Sequence, residues 1–177
     1  MAKAVLISIR PEWVEKILAG EKTLEVRKTR PKLKTPFKCH IYCTMDHPYI
    51  SISCGELDKL NYRTNTVGRC NGKVIGEFTC DRIYELAPLN YAPDDVEKQA
   101  CLTREEIVNY LKGTGYGWHI SKLQIYDTPK PLSAFKGLCK IEVGCGECPY
   151  YNYTKMECDG RIIKRPPQSW CYVEELK

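Results

Sequence analysis

The chain has 177 residues, of which 43% are apolar and 28% are charged. This length can bury one sizeable hydrophobic core but leaves little room for two full domains. Lysine and arginine exceed aspartate and glutamate by 27 − 22 = 5, a mild basic excess that favours an anionic partner without identifying it. We therefore predict a single domain over residues 1–177.

The first predicted strand runs from Lys3 to Ile9, an apolar stretch rich in β-branched residues. The apolar run ends at Arg10, too early for a secretory signal or a membrane span, so we expect a cytoplasmic protein with no membrane partner. Arg10 stands between this strand and the start of a helix, where anions are favoured. It either helps to bind a phosphate or is simply solvated.

A short helix is predicted directly after Arg10. Pro11 suits its first turn, Trp13 falls on an apolar face at helical spacing, and Gly20 suits the position after its C-terminus. The helical spacing indicates that Trp13 belongs to the core.

The next predicted strand runs from Lys22 to Lys28. Its period of two places Leu24 and Val26 on one face, and Glu25 and Arg27 on the other. One face of this strand can therefore enter the core while the other lines a polar cleft.

Four later strands are predicted over Lys38–Thr44, Gly72–Tyr84, Gly115–Tyr126 and Ser169–Glu175. Between the first two of these, residues 46–71 are polar and irregular, which indicates a surface excursion. Thr103-Arg-Glu-Glu106 is a capping box that predicts the start of a helix, and Asp127-Thr-Pro-Lys-Pro predicts the end of the strand before it. Several strands, few helices and no regular βαβ alternation indicate an α+β fold on a mixed or barrel-like sheet.

The spacing Gly20-x-Lys22-x-x-Glu25-x-Arg27 resembles the signature of the ASCH domain, a branch of the PUA-like β-barrel superfamily. Other branches of that superfamily bind RNA or modified bases. Further elements that resemble the family span nearly the whole chain: Ser8-Ile-Arg-Pro-x-Trp13, Val74-Ile-Gly-Glu-Phe78, Trp118-His-Ile-Ser121 and Pro166-Pro-Gln-Ser-Trp170. The resemblance implies a PUA-like mixed β-barrel with a few flanking helices, and a cleft where the signature residues meet a nucleic acid or nucleotide.

The chemistry of the signature residues agrees with that implication. Lys22 supplies a compact positive charge, and Arg27 a planar fork suited to a phosphate or a base edge. Glu25 can accept from the exocyclic amine of a base or act as an acid/base group. The alternative is that Glu25 and Arg27 only satisfy a polar sheet face. Together with Arg10 they form the predicted nucleic-acid site, to which Trp118 adds an indole that either stacks on a base or packs in the core.

Catalysis by the same residues is an open alternative. A small amidohydrolase of the family, which deacetylates N4-acetylcytidine, uses a Lys, a Thr three residues later and a distant Glu. In this chain the residue three positions after Lys22 is Glu25, and strand alternation points Thr23 away from Lys22. Other members of the family cut RNA, and in such a reaction Lys22 and Glu25 would be the catalytic residues. The resemblance thus implies RNA or modified-nucleotide binding, with a hydrolase of the same fold, a ribonuclease or a modified-nucleoside amidohydrolase, as the alternative.

Eleven cysteines, an odd number, argue against complete disulfide pairing in the expected reducing compartment. Four of them, Cys139, Cys145, Cys148 and Cys158, predict a structural Zn²⁺ site in a cysteine-rich insertion over residues 139–158. Cys171 is an alternative to Cys139 as the fourth ligand, and free thiols or a redox Cys-x-x-Cys are competing interpretations. A zinc-stabilised protein-interaction module is accordingly a second alternative function, with its partner unknown.

Overall fold

The structure is a computed structural model that describes residues 2–52, 68–87, 90–91, 93–139 and 144–176. Within these ranges the strands are β1 (Lys3–Ile9), β2 (Leu24–Arg27), β3 (Phe37–Cys43), β4 (Ser51–Ile52), β5 (Gly68–Arg69), β6 (Val74–Ala87), β7 (Asn90–Tyr91), β8 (Gly115–Lys130), β9 (Tyr151–Asn152), β10 (Glu157–Cys158) and β11 (Trp170–Glu174). The α-helices are α1 (Pro11–Leu18), α2 (Val96–Ala100) and α3 (Arg104–Leu111).

The main sheet is mixed, as predicted, and has the strand order β11-β1-β3-β6-β8-β2, with β7 added to β6. The β1–β3 pair is parallel and the other pairs are antiparallel. The predicted β-barrel is not closed, because β2 and β11 are the two ends of this order and do not pair with each other in the described chain. A side chain spans the opening instead: Arg27 on β2 donates to the Ser8 carbonyl on β1 at 2.6 Å.

The predicted bounds of β1 are confirmed, and β3 and β11 differ from their predictions only at the ends. The predicted end of β8 near Asp127 is wrong, since the strand continues through Pro129 to Lys130. Lys130 pairs with Val74 across a register shift in the β6–β8 ladder. A proline that lacks an N–H is tolerated at such an irregularity.

Helix α1 packs Val14 and Ile17 into the main core beside the sheet. Gly20 has φ +75°, a left-handed conformation that favours glycine and turns the chain out of the helix. After it, the Lys22 amide donates to the Lys16 carbonyl at 3.0 Å, which fixes Lys22 at the entrance to β2.

A second apolar cluster joins β2 to α2 and α3, with Leu24 and Val26 buried on the predicted core face of the strand. Helix α2, which the sequence analysis does not predict, is only five residues long. The capping box of α3 is confirmed: the Glu106 amide donates to Thr103 Oγ1 at 3.2 Å, and the Thr103 amide donates to Glu106 Oε2 at 2.7 Å.

The cysteine-rich segment forms its own small sheet of β9 and β10, preceded by a short helical turn at Cys145–Glu147. Much of the predicted excursion over residues 46–71 lies outside the described residues. None of the described helices combines the length and the apolar character needed to cross a membrane.

Candidate functional site

A cleft of about 540 Å³ opens beside β2, within the usual size range of small-molecule sites. Its lining side chains come from β1, α1, β2, α3 and the segments that follow β3 and precede β11. They include Ser8, Arg10, Trp13, Lys22, Glu25, Arg27, Thr44, Asp46, Glu106, Tyr110 and Gln168. The structure therefore brings together four of the five predicted nucleic-acid-binding residues.

The floor of the cleft is a cluster of three buried charged residues. Lys22, Glu25 and Arg27 are 3%, 6% and 7% exposed. Arg27 Nη2 lies 2.9 Å from Glu25 Oε1, and Lys22 Nζ lies 3.5 Å from Glu25 Oε2. The alternation of β2 places Glu25 and Arg27 on the same face, and Lys22 reaches them from the turn before the strand. One carboxylate thus lies between two cations.

Backbone and hydroxyl groups of three neighbouring elements hold this cluster in place. Lys22 Nζ donates to the Ala100 carbonyl at the end of α2 at 2.7 Å. Arg27 donates through Nη2 to the Ser8 carbonyl and through Nη1 to Ser169 Oγ, at 2.6 and 3.3 Å. The predicted signature residues therefore connect the two ends of the open sheet as well as lining the cleft.

Some polar atoms of the cluster keep unused hydrogen-bonding capacity. Glu25 Oε2 and Arg27 Nε are buried and have no hydrogen-bond partner among the described residues. An unpartnered buried polar atom is costly, which makes such atoms candidates for ligand contacts. The floor can offer a carboxylate acceptor beside guanidinium and ammonium donors.

The aromatic residues at the cleft are not those that the sequence analysis selected. Trp13, predicted as core, does pack against the main core, but it is only half-buried and also lines the cleft. Lys22 Nζ and Lys16 Nζ lie 5.1 and 5.4 Å from its ring centroid. Tyr110 lines the opening from α3 and is 43% exposed. The position of Trp13 in the Ser8-Ile-Arg-Pro-x-Trp13 element was the available signal, whereas helical periodicity alone favoured burial.

Trp118 lies in the core and does not line the cleft. Its side chain is 0% exposed, and its ring centroid lies 6.0 Å from that of Phe37 and 5.8 Å from that of Trp170. Residue 118 pairs with Glu25 in the β8–β2 ladder, but its indole packs against the rings of Phe37 and Trp170 in the main core. Stacking on a base requires exposure that this conformation does not give, so of the two interpretations the structure matches core packing.

Arg10 lies at the mouth of the cleft with its side chain 70% exposed. It is the residue before α1, and its carbonyl accepts from the Trp13 and Val14 amides at 3.0 Å. Its guanidinium is 4.0 Å from the Glu12 carboxylate, a contact that solvent weakens. Arg10 is thus free to turn toward an anion at the opening.

The described cysteines do not form the predicted zinc site. No three His, Cys, Asp or Glu side chains in the described ranges lie where one metal ion could be held. Cys148 is buried while Cys139 and Cys145 are exposed, and Cys158 pairs with Tyr151 in the β9–β10 hairpin. As arranged, these thiols do not fit a closed tetrahedral centre, and the zinc ion stays a prediction.

Comparison with known proteins finds the same architecture in crystal structures of an ASCH protein from Zymomonas mobilis. That protein and two of its variants, one Tyr-to-Phe and one Ser-to-Ala, each match with 17% sequence identity and a TM-score of 0.57. The match to the unmutated protein covers 97% of this chain and 88% of that chain, and the match to the Tyr-to-Phe variant covers 98% and 92%.

The sequence itself matches no protein-family model and no curated protein. At 17% identity the structural likeness establishes the fold and nothing further. The chain therefore has the ASCH-domain fold that its signature resembles.

Proposed function

We propose that the cleft binds a base of RNA or a modified nucleotide, with Lys22, Glu25 and Arg27 as its recognition floor. The observation that carries this proposal is the burial of two basic side chains and one acidic side chain at the bottom of a cleft with a half-buried tryptophan in its wall. Buried charges are expensive unless they are paired, and here one carboxylate oxygen is left without a hydrogen bond. The ASCH-domain fold, a fold associated with RNA binding, supports the same conclusion.

The charge balance of the cleft favours a base over a bare phosphate. Three cationic side chains, Arg10, Lys22 and Arg27, face three acidic ones, Glu25, Asp46 and Glu106. A site with no net charge does not by itself attract a polyanion. It suits a ligand with its own donors and acceptors, such as the edge of a nucleobase.

Each residue has a distinct task in this proposal. Glu25 accepts a hydrogen bond from an exocyclic amine, and Arg27 holds the carboxylate in position through its 2.9 Å contact. Trp13 offers a flat apolar surface for stacking. Arg10 reaches a phosphate or sugar oxygen at the mouth.

The competing explanation is that the charged cluster is purely structural, since it ties β2 to α2 and β1. Glu25→Gln separates the two, because it keeps the shape of the side chain while removing the charged acceptor. We expect a roughly ten- to hundredfold weaker affinity for the nucleoside that binds best, the loss associated with a hydrogen bond to a charged group.

The measurement is isothermal titration calorimetry with the common ribonucleosides and N4-acetylcytidine. Glu105→Gln is the matched control, because Glu105 is an exposed carboxylate on α3. Equal affinities for the two variants, or no nucleoside binding by the unmodified protein, would contradict the proposed function.

Hydrolysis of a modified nucleoside in the same cleft is a second candidate, favoured by one observation. Thr44 lines the cleft and donates through Oγ1 to Asp46 Oδ2 at 3.0 Å, so a hydroxyl has an acceptor for its proton. In an amide-cleaving reaction the Thr44 oxygen would bond to the acyl carbon as its proton passes to Asp46. That proton then goes to the departing amine, and water hydrolyses the resulting ester to free Thr44.

Mass spectrometry of N4-acetylcytidine incubated with the protein tests this candidate. Thr44→Val should abolish formation of cytidine and acetate while leaving binding intact. Turnover by the Thr44→Val variant, or none by the unmodified protein, would rule the Thr44 route out. If substitutions of Lys22 and Glu25 changed neither nucleoside binding nor the turnover of N4-acetylcytidine, the alternative of a zinc-stabilised protein-interaction module would be favoured.

The zinc prediction has its own test, elemental analysis of protein purified without chelator. Under the prediction the protein carries about one zinc ion per chain, and Cys148→Ser lowers this content whereas Cys101→Ser does not. A folded, metal-free preparation would contradict it.

A further inference from the structure

We propose that the segment between β2 and β3, residues 28–36, binds the phosphate backbone of a polynucleotide whose base occupies the cleft. We call this segment the basic loop. The inference rests on the proposed function and extends it, because it identifies the ligand as a polymer and places its backbone.

The charge of the basic loop and its surroundings is strongly one-sided. The sequence has no Asp or Glu from residue 26 to residue 45. Two cavities of about 590 and 690 Å³ adjoin the loop and share Leu33 and Lys34 in their walls. Their cationic lining residues are Lys3, Arg30, Lys32, Lys34, Lys38 and Lys122. The acidic residue in these walls is Glu175, which lies 3.3 Å from Lys38.

The loop cations point to an external partner. Arg30, Lys32 and Lys34 are exposed, and none of them forms an ion pair with another described residue. Exposed cations held close together repel one another. A nucleic acid that binds them relieves this repulsion and releases the cations condensed on its own phosphates, which favours binding.

The loop is held in a defined conformation by β11. Trp170 Nε1 donates to Thr29 Oγ1 at 3.0 Å, and the Lys32 amide donates to the Tyr172 hydroxyl at 2.7 Å. Pro31 is buried, and Leu33 packs against the main core. Alternate residues thus face inward while the cations face outward. Binding would need little further ordering of the loop backbone.

The basic loop begins at the edge of the cleft. Arg27, the last residue of β2, is part of the cleft floor, and Lys28 Nζ lies 5.4 Å from the ring of Tyr110 in the cleft wall. Arg30 follows at 5.5 Å from the Tyr116 ring. A chain with one base in the cleft therefore has its neighbouring phosphates beside these cations.

An anionic membrane surface is the other partner that a basic patch can serve. Membrane-binding segments present apolar side chains outward together with their cations. Here Pro31 is buried and Leu33 packs against the main core, which leaves Pro36 as the exposed apolar residue of the loop. The arrangement favours a nucleic acid.

The experiment compares two triple variants that each remove three positive charges. Arg30→Gln/Lys32→Gln/Lys34→Gln changes the loop, and Lys98→Gln/Lys155→Gln/Lys164→Gln removes exposed lysines elsewhere. The probe is a fluorescent oligouridylate of about twelve nucleotides, longer than the smallest single-strand sites. Uracil has no exocyclic amine, so binding of this probe reports the backbone contacts of the loop and not recognition by Glu25. Its affinity is measured by anisotropy over a range of salt concentrations.

For the loop variant we expect the slope of log K against log salt to become shallower by about 2, close to 0.7 for each lost phosphate contact. The control variant should keep a slope near that of the unmodified protein. If the triple loop variant fails to fold, Lys32→Gln alone should reduce the slope by about 0.7. Equal slopes for the loop and control variants would overturn the proposal. The proposal would also be overturned if the loop substitutions weakened binding to phosphatidylserine vesicles but not binding to the oligouridylate.

Calorimetry with a nucleoside separates this inference from the proposed function. The loop variant should bind the nucleoside as well as the unmodified protein does, because it leaves the cleft unchanged. If the oligouridylate slope falls as expected but Glu25→Gln has no effect on nucleoside binding, the loop assignment stands and the cleft assignment fails.

Discussion

The cleft and the basic loop are consecutive in the chain but use charge in opposite ways. In the cleft, Lys22, Glu25 and Arg27 are buried, paired and fixed by backbone carbonyls. In the loop, Arg30, Lys32 and Lys34 are exposed and no described acidic residue balances them. Buried pairs are sensitive to geometry, whereas exposed like charges give long-range attraction that salt screens. We therefore assign selectivity to the cleft and electrostatic attraction to the loop.

The largest expected contrast between the two regions is in stability. Glu25→Leu leaves Lys22 and Arg27 buried without their carboxylate and should reduce the free energy of unfolding by about 3–5 kcal/mol. Lys32→Leu removes an exposed charge and should change it by less than about 0.5 kcal/mol. Urea unfolding of both variants is the measurement. Similar losses of unfolding free energy in the two variants would show that the cleft charges contribute no more to stability than the loop charges do.

The stability of the protein should also depend on pH through His40, a buried residue outside both the cleft and the loop. Burial lowers the pKa of His40 from 6.5 to about 4, and its Nδ1 lies 2.8 Å from the Tyr126 hydroxyl. Between these values the unfolded chain binds a proton that the native protein does not. Stability is therefore full above pH 6.5 and falls as the pH drops toward 4, by about 3 kcal/mol.

Urea unfolding at a series of pH values measures this dependence. His40→Gln should flatten it over that interval, even if it lowers stability at every pH. A residual acid dependence is expected, because hydrogen bonds from Lys38 and Tyr126 lower the pKa of Glu77 despite its partial burial. An unchanged curve in His40→Gln would contradict the assignment.

A smaller effect is expected at the capping box of α3, the helix that carries Tyr110 and Glu106 into the cleft wall. Thr103→Ala should cost about 1 kcal/mol of stability and weaken nucleoside binding slightly through fraying of the helix. Thr114→Ala, at an exposed position beyond the helix, is the control. Thr103→Ala should not change the salt dependence of the affinity for the oligouridylate. If it did, the cleft and the loop would not act independently.

The smallest expected effect is that of salt on nucleoside binding. A nucleoside has no phosphate to release counterions, so its affinity should change by less than about twofold between roughly 50 and 200 mM salt. Oligouridylate binding should fall steeply over the same interval. Calorimetry at both concentrations checks this, and a steep slope for the nucleoside would mean that the cleft also works by long-range attraction.

Much of the fold could be predicted because local patterns agree with it. The apolar run of β1, the period of two in β2, the left-handed Gly20 and the capping box at Thr103 are each determined by neighbouring residues. Sheet closure could not be predicted, because it depends on whether β2 and β11 meet, and these strands are far apart in sequence. The continuation of β8 past Pro129 depends likewise on pairing with β6.

The candidate site could be predicted only where local patterns determine it. Lys22, Glu25 and Arg27 follow from the signature and the strand period, but Trp13, Thr44 and Tyr110 reach the cleft from separate elements. The placement of Thr44 and Tyr110 is a tertiary property without a local signal, and for Trp13 the only signal was its position in the Ser8-Ile-Arg-Pro-x-Trp13 element. For Trp118, the sequence left base stacking and core packing open, and the packing of Phe37 and Trp170 around it decides that it is buried.

The most direct test of the central claim is a crystal structure of the protein soaked with the nucleoside that binds best. The account predicts electron density for the base in the cleft against Trp13, with an amino group within hydrogen-bond distance of the Glu25 carboxylate. Density for the nucleoside elsewhere, with the cleft vacant, would contradict it.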